Sequence, residues 1–218
     1  MHHDLSRACL AQTQDAIPRV LLLARLALYG PGAARLHEEI VTVTARWSDP
    51  AIRTSPLSPY GRETELKTLD LLDQALLTRG TTNETIQKML VASAVDDVVQ
   101  LLPHLTQRAE QYADEAKEKL TKRGEQESAQ MRELLQLQRK HIGVRQQQDT
   151  QIAFNFSEDE LRQLNADRRH WTARLAKLEL ELESEPQRIR DLYQVHAQRI
   201  EPVGLVYLWP VAEGSVTE

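Results

Sequence analysis

Histidine and carboxylate stand side by side at His37-Glu38-Glu39, a pairing that on a helix can hold zinc and supply a general base. That chemistry needs a second histidine four residues after the first, and position 41 is Val41. His2 and His3 form an adjacent pair with no further ligand at metal spacing. Asp96-Asp97 reads as an acidic pair on the solvated face of a helix. Cys9 has no neighbour that would activate its thiol, and no Ser-His-Asp or Cys-His order stands out. No metal, cofactor or catalytic site is therefore expected. Phosphate contact is the better-supported chemistry. Arg139, Lys140 and Arg145 fall in one stretch, and Arg162, Arg168, Arg169 and Arg174 in another, with His170 and Trp171 interleaved. Clustered cations of this kind bind phosphates in proportion to their number. The plainer account is that they offset Asp159, Glu160 and Asp167 on an ordinary solvated coiled coil.

The chain that must position these groups has 218 residues, 41% of them hydrophobic, 27% charged and only 5% aromatic. Long helices with narrow apolar seams suit that balance better than a thick aromatic core. The net charge of -5 gives no global attraction to nucleic acid, so such binding must be local. A single cysteine forbids an internal disulfide, and a reducing cytoplasm is the expected setting. No segment approaches the ~20 apolar residues of a membrane helix, and no signal peptide is expected.

Up to about Leu77 the sequence reads as several short helices. Pro18 suits the first turn of a helix through Val20 to Leu28 that is apolar on nearly all sides, ended by Tyr29-Gly30-Pro31-Gly32. Ala33 to Trp47 is expected to resume as a helix, although Val41 to Thr44 alternates like a strand. The prolines of Ser48 to Gly61 exclude a regular helix there. Thr81 and Glu84 have capping-box spacing at the start of a long helix, which Pro103 is expected to kink or break. Ser157 and Glu160 form a second capping box, with Phe156 and Leu161 placed to staple it. From Leu161 a 3-4 spacing through Leu164, Trp171, Leu175, Leu178 and Leu182 marks a coiled-coil seam. The expected fold is mainly α: a helical base over 1–102, a long antiparallel coiled-coil hairpin over 103–199 with its tip near 151–157, and one short C-terminal β-strand with a tail over 200–218. Each arm would run ~60 Å at 1.5 Å per residue.

The strand, IEPVGLVYLWPV, raises its own question. Leu205, Tyr207 and Trp209 share one face, and Val206 and Leu208 the other. Both faces are apolar, so burial on both sides is expected. The strand either packs on its own chain or adds to a sheet edge elsewhere. Leu205, Tyr207 and Trp209 are the residues expected to dock it.

RIEPVGLVYLWP, the upstream FNFSEDELRQLNADRRHWTARLAKLELELESEPQRI, and YGPGAARLHEEIVTVTARW with the LSPYG that follows resemble the C-terminal region of the Swi/Snf-type helicases of DISARM phage-defence islands, the DrmD proteins and their close relatives. The resemblance runs from about Ala24 onward. It implies a partner in helicase motor domains or neighbouring defence subunits, with DNA as a ligand of the hairpin. The motor itself is missing: no G-x-x-x-x-G-K-[ST] phosphate loop and no Asp-Glu-x-His-type box occurs. What the resemblance implies is a non-catalytic C-terminal accessory module, split off or truncated, in bacterial antiviral defence. The alternative is a free-standing coiled-coil adaptor that self-associates.

Overall fold

The computed structural model describes residues 8–77, 83–151 and 157–211. It contains strands β1 (Ala8–Thr13), β2 (Arg19–Tyr29), β3 (Arg35–Arg46) and β4 (Ala197–Pro210), and helices α1 (Arg62–Leu77), α2 (Glu84–Gln151) and α3 (Glu158–Leu192). The strands form one sheet in the order β1-β4-β2-β3. β4 runs antiparallel to β2, with Leu22 opposite Leu205, and parallel to β1, with Leu10 opposite Tyr207.

This corrects the mainly α expectation with its single short strand. Three strands of 11, 12 and 14 residues join the six-residue β1 in a mixed sheet made from the first and last parts of the chain. The run from Val20 to Leu28 is apolar on every side because its strand is covered on both faces, and such a run has no period by which to tell strand from buried helix. Val41, Val43 and Ala45 are fully buried, so the alternation of Val41 to Thr44 marks a strand. The β2–β3 turn passes through Pro31–Ala33, where Gly32 (φ 61°) and Ala33 (φ 59°) both take left-handed backbone.

The chain divides into two compact units. Of the described residues, the first holds β1, β2, β3 from His37, α1, α2 as far as Glu115, and β4; the second holds Gly30–Leu36 and Ala116–His196. Helix α2 belongs to both and continues through Pro103. Its start is capped by Asn83, whose Oδ1 accepts from the Thr85 N–H at 2.8 Å. Thr81, expected to open a capping box here, lies outside the described residues, as do Phe156 and most of the expected hairpin tip.

In the first unit, α1 covers one face of the sheet. Ala75 packs with Leu21 and Leu208, and Leu69, Leu72 and Val206 extend that cluster. Fully burying a leucine of this kind contributes about 1.5–3 kcal/mol. Tyr207 alternates with Val206 and Leu208 and so points to the opposite face, where α2 lies: its hydroxyl donates to Asp97 Oδ2 at 2.8 Å.

In the second unit, α2 and α3 pack along a seam of Leu135, Ile142 and Leu178, with Met131, Trp171, Leu175 and Leu182 against it. Glu127 meets Tyr193, Arg139 meets Glu179 and Gln146 meets Thr172. Position rises on one helix as it falls on the other, so the pair is antiparallel. Gly124 gives the close approach near its base: a Cβ there would stand 3.1 Å from Tyr193 Cβ. The Ser157–Glu160 capping box is present in full, with each residue bonding the other's backbone N–H.

Candidate functional site

Two places in the chain gather polar chemistry: a buried carboxylate in the sheet unit and the cationic stretch of the hairpin. Helix α2 carries the first. Leu90, Ala94 and Leu101 are buried on its sheet-facing side, and Asp97 falls on that same side, three residues past Ala94 and four before Leu101. Asp97 is fully buried. Its Oδ2 accepts from Trp47 Nε1 at 2.9 Å and from the Tyr207 hydroxyl, and its Oδ1 accepts from Arg53 at 3.1 Å. The Arg53 side chain is itself only 7% exposed.

Three groups therefore converge on the carboxylate that α2 carries: Tyr207 of β4, Trp47 just past β3, and Arg53 of the proline-rich loop. Trp47 also meets Tyr207 edge-on at 6.4 Å and Trp209 at 5.3 Å between ring centroids. Burial, foremost, and the neighbouring Asp97 push the Tyr207 phenol well above its ordinary value.

A second buried carboxylate, Glu65 on α1, is held by Arg108 of α2 and by Arg62 at 3.2 Å. Arg108 also donates to the Thr42 carbonyl at 2.6 Å. Arg19, buried at the start of β2, bonds Asp15 and donates to Thr68 Oγ1 at 2.8 Å. These charges are consumed in holding helices and loop to the sheet. The loop walls an open cleft of about 760 Å³ that includes Arg46, Asp49, Arg53 and Tyr60. It contains no histidine and no cysteine.

Asp96-Asp97 thus splits. Asp96 is exposed, as a solvated pair would be, while Asp97 is buried and fully bonded. The signal that could have found it was the apolar spacing of Leu90, Ala94 and Leu101 around it. No group of three or more histidine, cysteine, aspartate or glutamate side chains suited to a metal occurs among the described residues. His37 meets Glu39, two residues along β3, at 3.3 Å.

Of the residues expected to dock β4, Leu205 and Tyr207 are buried in the sheet unit, and Trp209 is half-buried against Trp47. The strand's backbone partners are β1 and β2 of the same chain.

The cations of the hairpin are spread along it and interleaved with acids: Arg139 stands level with Glu179, ~25 Å along α3 from Arg162 at 1.5 Å per residue. Arg139 pairs with Glu179 at 3.0 Å across the hairpin. Arg174 pairs with Glu181 at 3.0 Å and donates to Gln138, one residue before Arg139. Arg162 bonds Asp159 at 3.5 Å and Glu158 at 4.0 Å. Arg169 donates to the Asn165 carbonyl at 3.2 Å. The Gln146–Thr172 contact sets Arg145 and Arg168 within about a turn of one cross-helix point. Lys140 and Arg145 are exposed and form no ion pair with a described residue. The Arg174 guanidinium, first, and Lys177 hold the Glu181 carboxyl below its usual range. Trp171 packs against the seam, as its spacing predicted.

Among the described residues no helix is long and apolar enough to cross a membrane. No family model matches the sequence, and neither a curated protein nor a solved structure matches it.

Proposed function

We propose that the chain is a non-catalytic accessory module of a DNA-dependent helicase or translocase of the cytoplasmic phage-defence type its sequence resembles, with the α2–α3 hairpin contacting DNA or a partner subunit. The observation that carries this reading is the cationic stretch of the hairpin, where Lys140 and Arg145 stand exposed beside Arg139, Arg168, Arg169 and Arg174. The charges of the sheet unit support it from the other side: Arg19, Arg53 and Arg108 are occupied by Asp15, Asp97 and Glu65. Of the three residues expected to dock β4, the half-buried Trp209 is the one left with surface for the motor portion.

The test is DNA affinity of the assembly as salt is raised. Arg168→Glu with Arg169→Glu should weaken binding and flatten the salt dependence by ~0.9 in log–log slope for each phosphate no longer neutralised. An unchanged slope and affinity would remove DNA from the reading.

A second reading, a free-standing coiled-coil adaptor, is favoured by Leu134 and Leu137, which are 50% and 59% exposed on the hairpin. Co-purification with the products of neighbouring genes, followed by DNA-stimulated ATPase assay, separates the two. A helicase partner whose ATPase responds to this chain supports the accessory module. A chain that self-associates through the hairpin, without partner, supports the adaptor.

A further inference from the structure

One face of helix α2 within the sheet unit is apolar and uncovered. Val91, Val95 and Val99 follow at four-residue steps and are 67%, 54% and 64% exposed. Leu90, Ala94, Asp97, Val98 and Leu101 occupy the buried side of the same turns. Beside the valine row runs a second exposed row, also at four-residue steps: Lys88, Ala92 and Asp96. Asp96 forms no ion pair with a described residue, and Lys88 has only Glu84, at 3.4 Å on its own helix. Valine is a poor choice for a solvated helix position, since its branched side chain loses rotamer freedom there. Among the described residues, all three stay exposed in the unit's own packing.

We propose that this face pairs antiparallel with the same face of a second copy of the chain. The Lys88–Ala92–Asp96 row is self-complementary when reversed. A two-fold axis at Ala92 sets Lys88 opposite Asp96 of the second copy, and symmetry repeats the pairing. Ala92 on the axis lets the helices approach closely, and Val91 and Val95 flank it. Parallel pairing would set Lys88 against Lys88. The face covers only a few helical turns, which is small beside a standard interface of about 800 Å² per partner. The dimer is therefore weak, with a Kd on the order of micromolar.

Sedimentation equilibrium of the full chain over a range of concentrations tests this, with melting curves to verify that each variant is folded. Val95→Arg should abolish the dimer. Lys88→Asp and Asp96→Lys should each weaken it about tenfold, since both symmetric pairings become repulsive. The double variant, Lys88→Asp with Asp96→Lys, should recover association to within about threefold of the original. A monomer at every concentration, a dimer that survives Val95→Arg, or a double variant no tighter than the singles would each overturn the proposal.

Discussion

Asp97 is where a single substitution should be felt most. Truncating one partner of a buried, hydrogen-bonded ion pair leaves the other charge desolvated, which typically costs 3–5 kcal/mol. Asp97→Ala strands Arg53 and also leaves the Trp47 indole and Tyr207 hydroxyl without their acceptor. In a Trp171→Phe background, urea unfolding followed by Trp47 and Trp209 fluorescence should show the sheet unit destabilised by about that amount. A decrease below ~1 kcal/mol would mean that the network is dispensable.

The same node predicts a pH dependence. In the unfolded chain the Tyr207 phenol titrates near its ordinary 10.0, while in the folded protein burial holds it protonated to higher pH. Above pH 10 the unfolded state therefore sheds a proton that the folded state keeps. The stabilisation is complete below pH 10 and is lost as pH rises beyond it. Tyr60 and Tyr193 are shifted in the same direction. The diagnostic is thus the difference in slope: Tyr207→Phe should lose stability less steeply above pH 10 than the original chain, and equal slopes would contradict the assignment. At this scale the sequence was partly legible. The apolar positions of β4 alternate as read, but a buried aspartate looks like a surface one until the helix face it shares with Leu90, Ala94 and Leu101 is drawn.

Among the elements, the helices were easier to read than the strands, for a physical reason. A helix is closed by its own residues: Ser157 accepts from the Glu160 N–H, and the Glu160 carboxylate accepts from the Ser157 N–H and is held below its usual pKa by it, all within four positions. A strand is closed by another strand, and β2 finds β4 at the far end of the chain. A one-dimensional pattern holds the first kind of information and lacks the second. Pro103 is the exception among the helices, since local rules read it as a kink or a break while α2 continues through it without a break. The residue is exposed, as is Val99, whose carbonyl would have received the missing N–H bond, so water can replace that partner. Proline in a helix interior is still up to about 3 kcal/mol worse than alanine. Pro103→Ala should therefore raise the thermal midpoint of the chain with no change in helical content by circular dichroism. A lowered midpoint would show that the proline ring packs against a neighbour strongly enough to outweigh the backbone effect.

For the whole molecule, the order in which the units form is set by where β4 lies. It is a central strand of the sheet, between β1 and β2, yet it is the last described element. Closing the sheet requires Ala197 to meet Tyr29, and everything from β3 to α3 lies in the loop between them. Residues 116–196, about half of that loop, belong with Gly30–Leu36 to the second unit. Once the α2–α3 hairpin forms, its ends are held together by Tyr193 on Glu127 and by Arg190 on Ser128. The effective loop is then about half as long. Halving a flexible loop lowers its closure cost by ~0.6 kcal/mol, which is close to threefold in rate if closure limits folding. The hairpin has its own core around Leu178 and needs nothing from the sheet to start. Leu178→Pro, which breaks α3 at its most buried leucine, should therefore slow refolding of the sheet unit about threefold. Stopped-flow fluorescence in a Trp171→Phe background, where only Trp47 and Trp209 report, would measure this directly. An unchanged rate would mean that β4 finds β2 before the hairpin closes, and that the sheet gains no kinetic help from the helices between its strands.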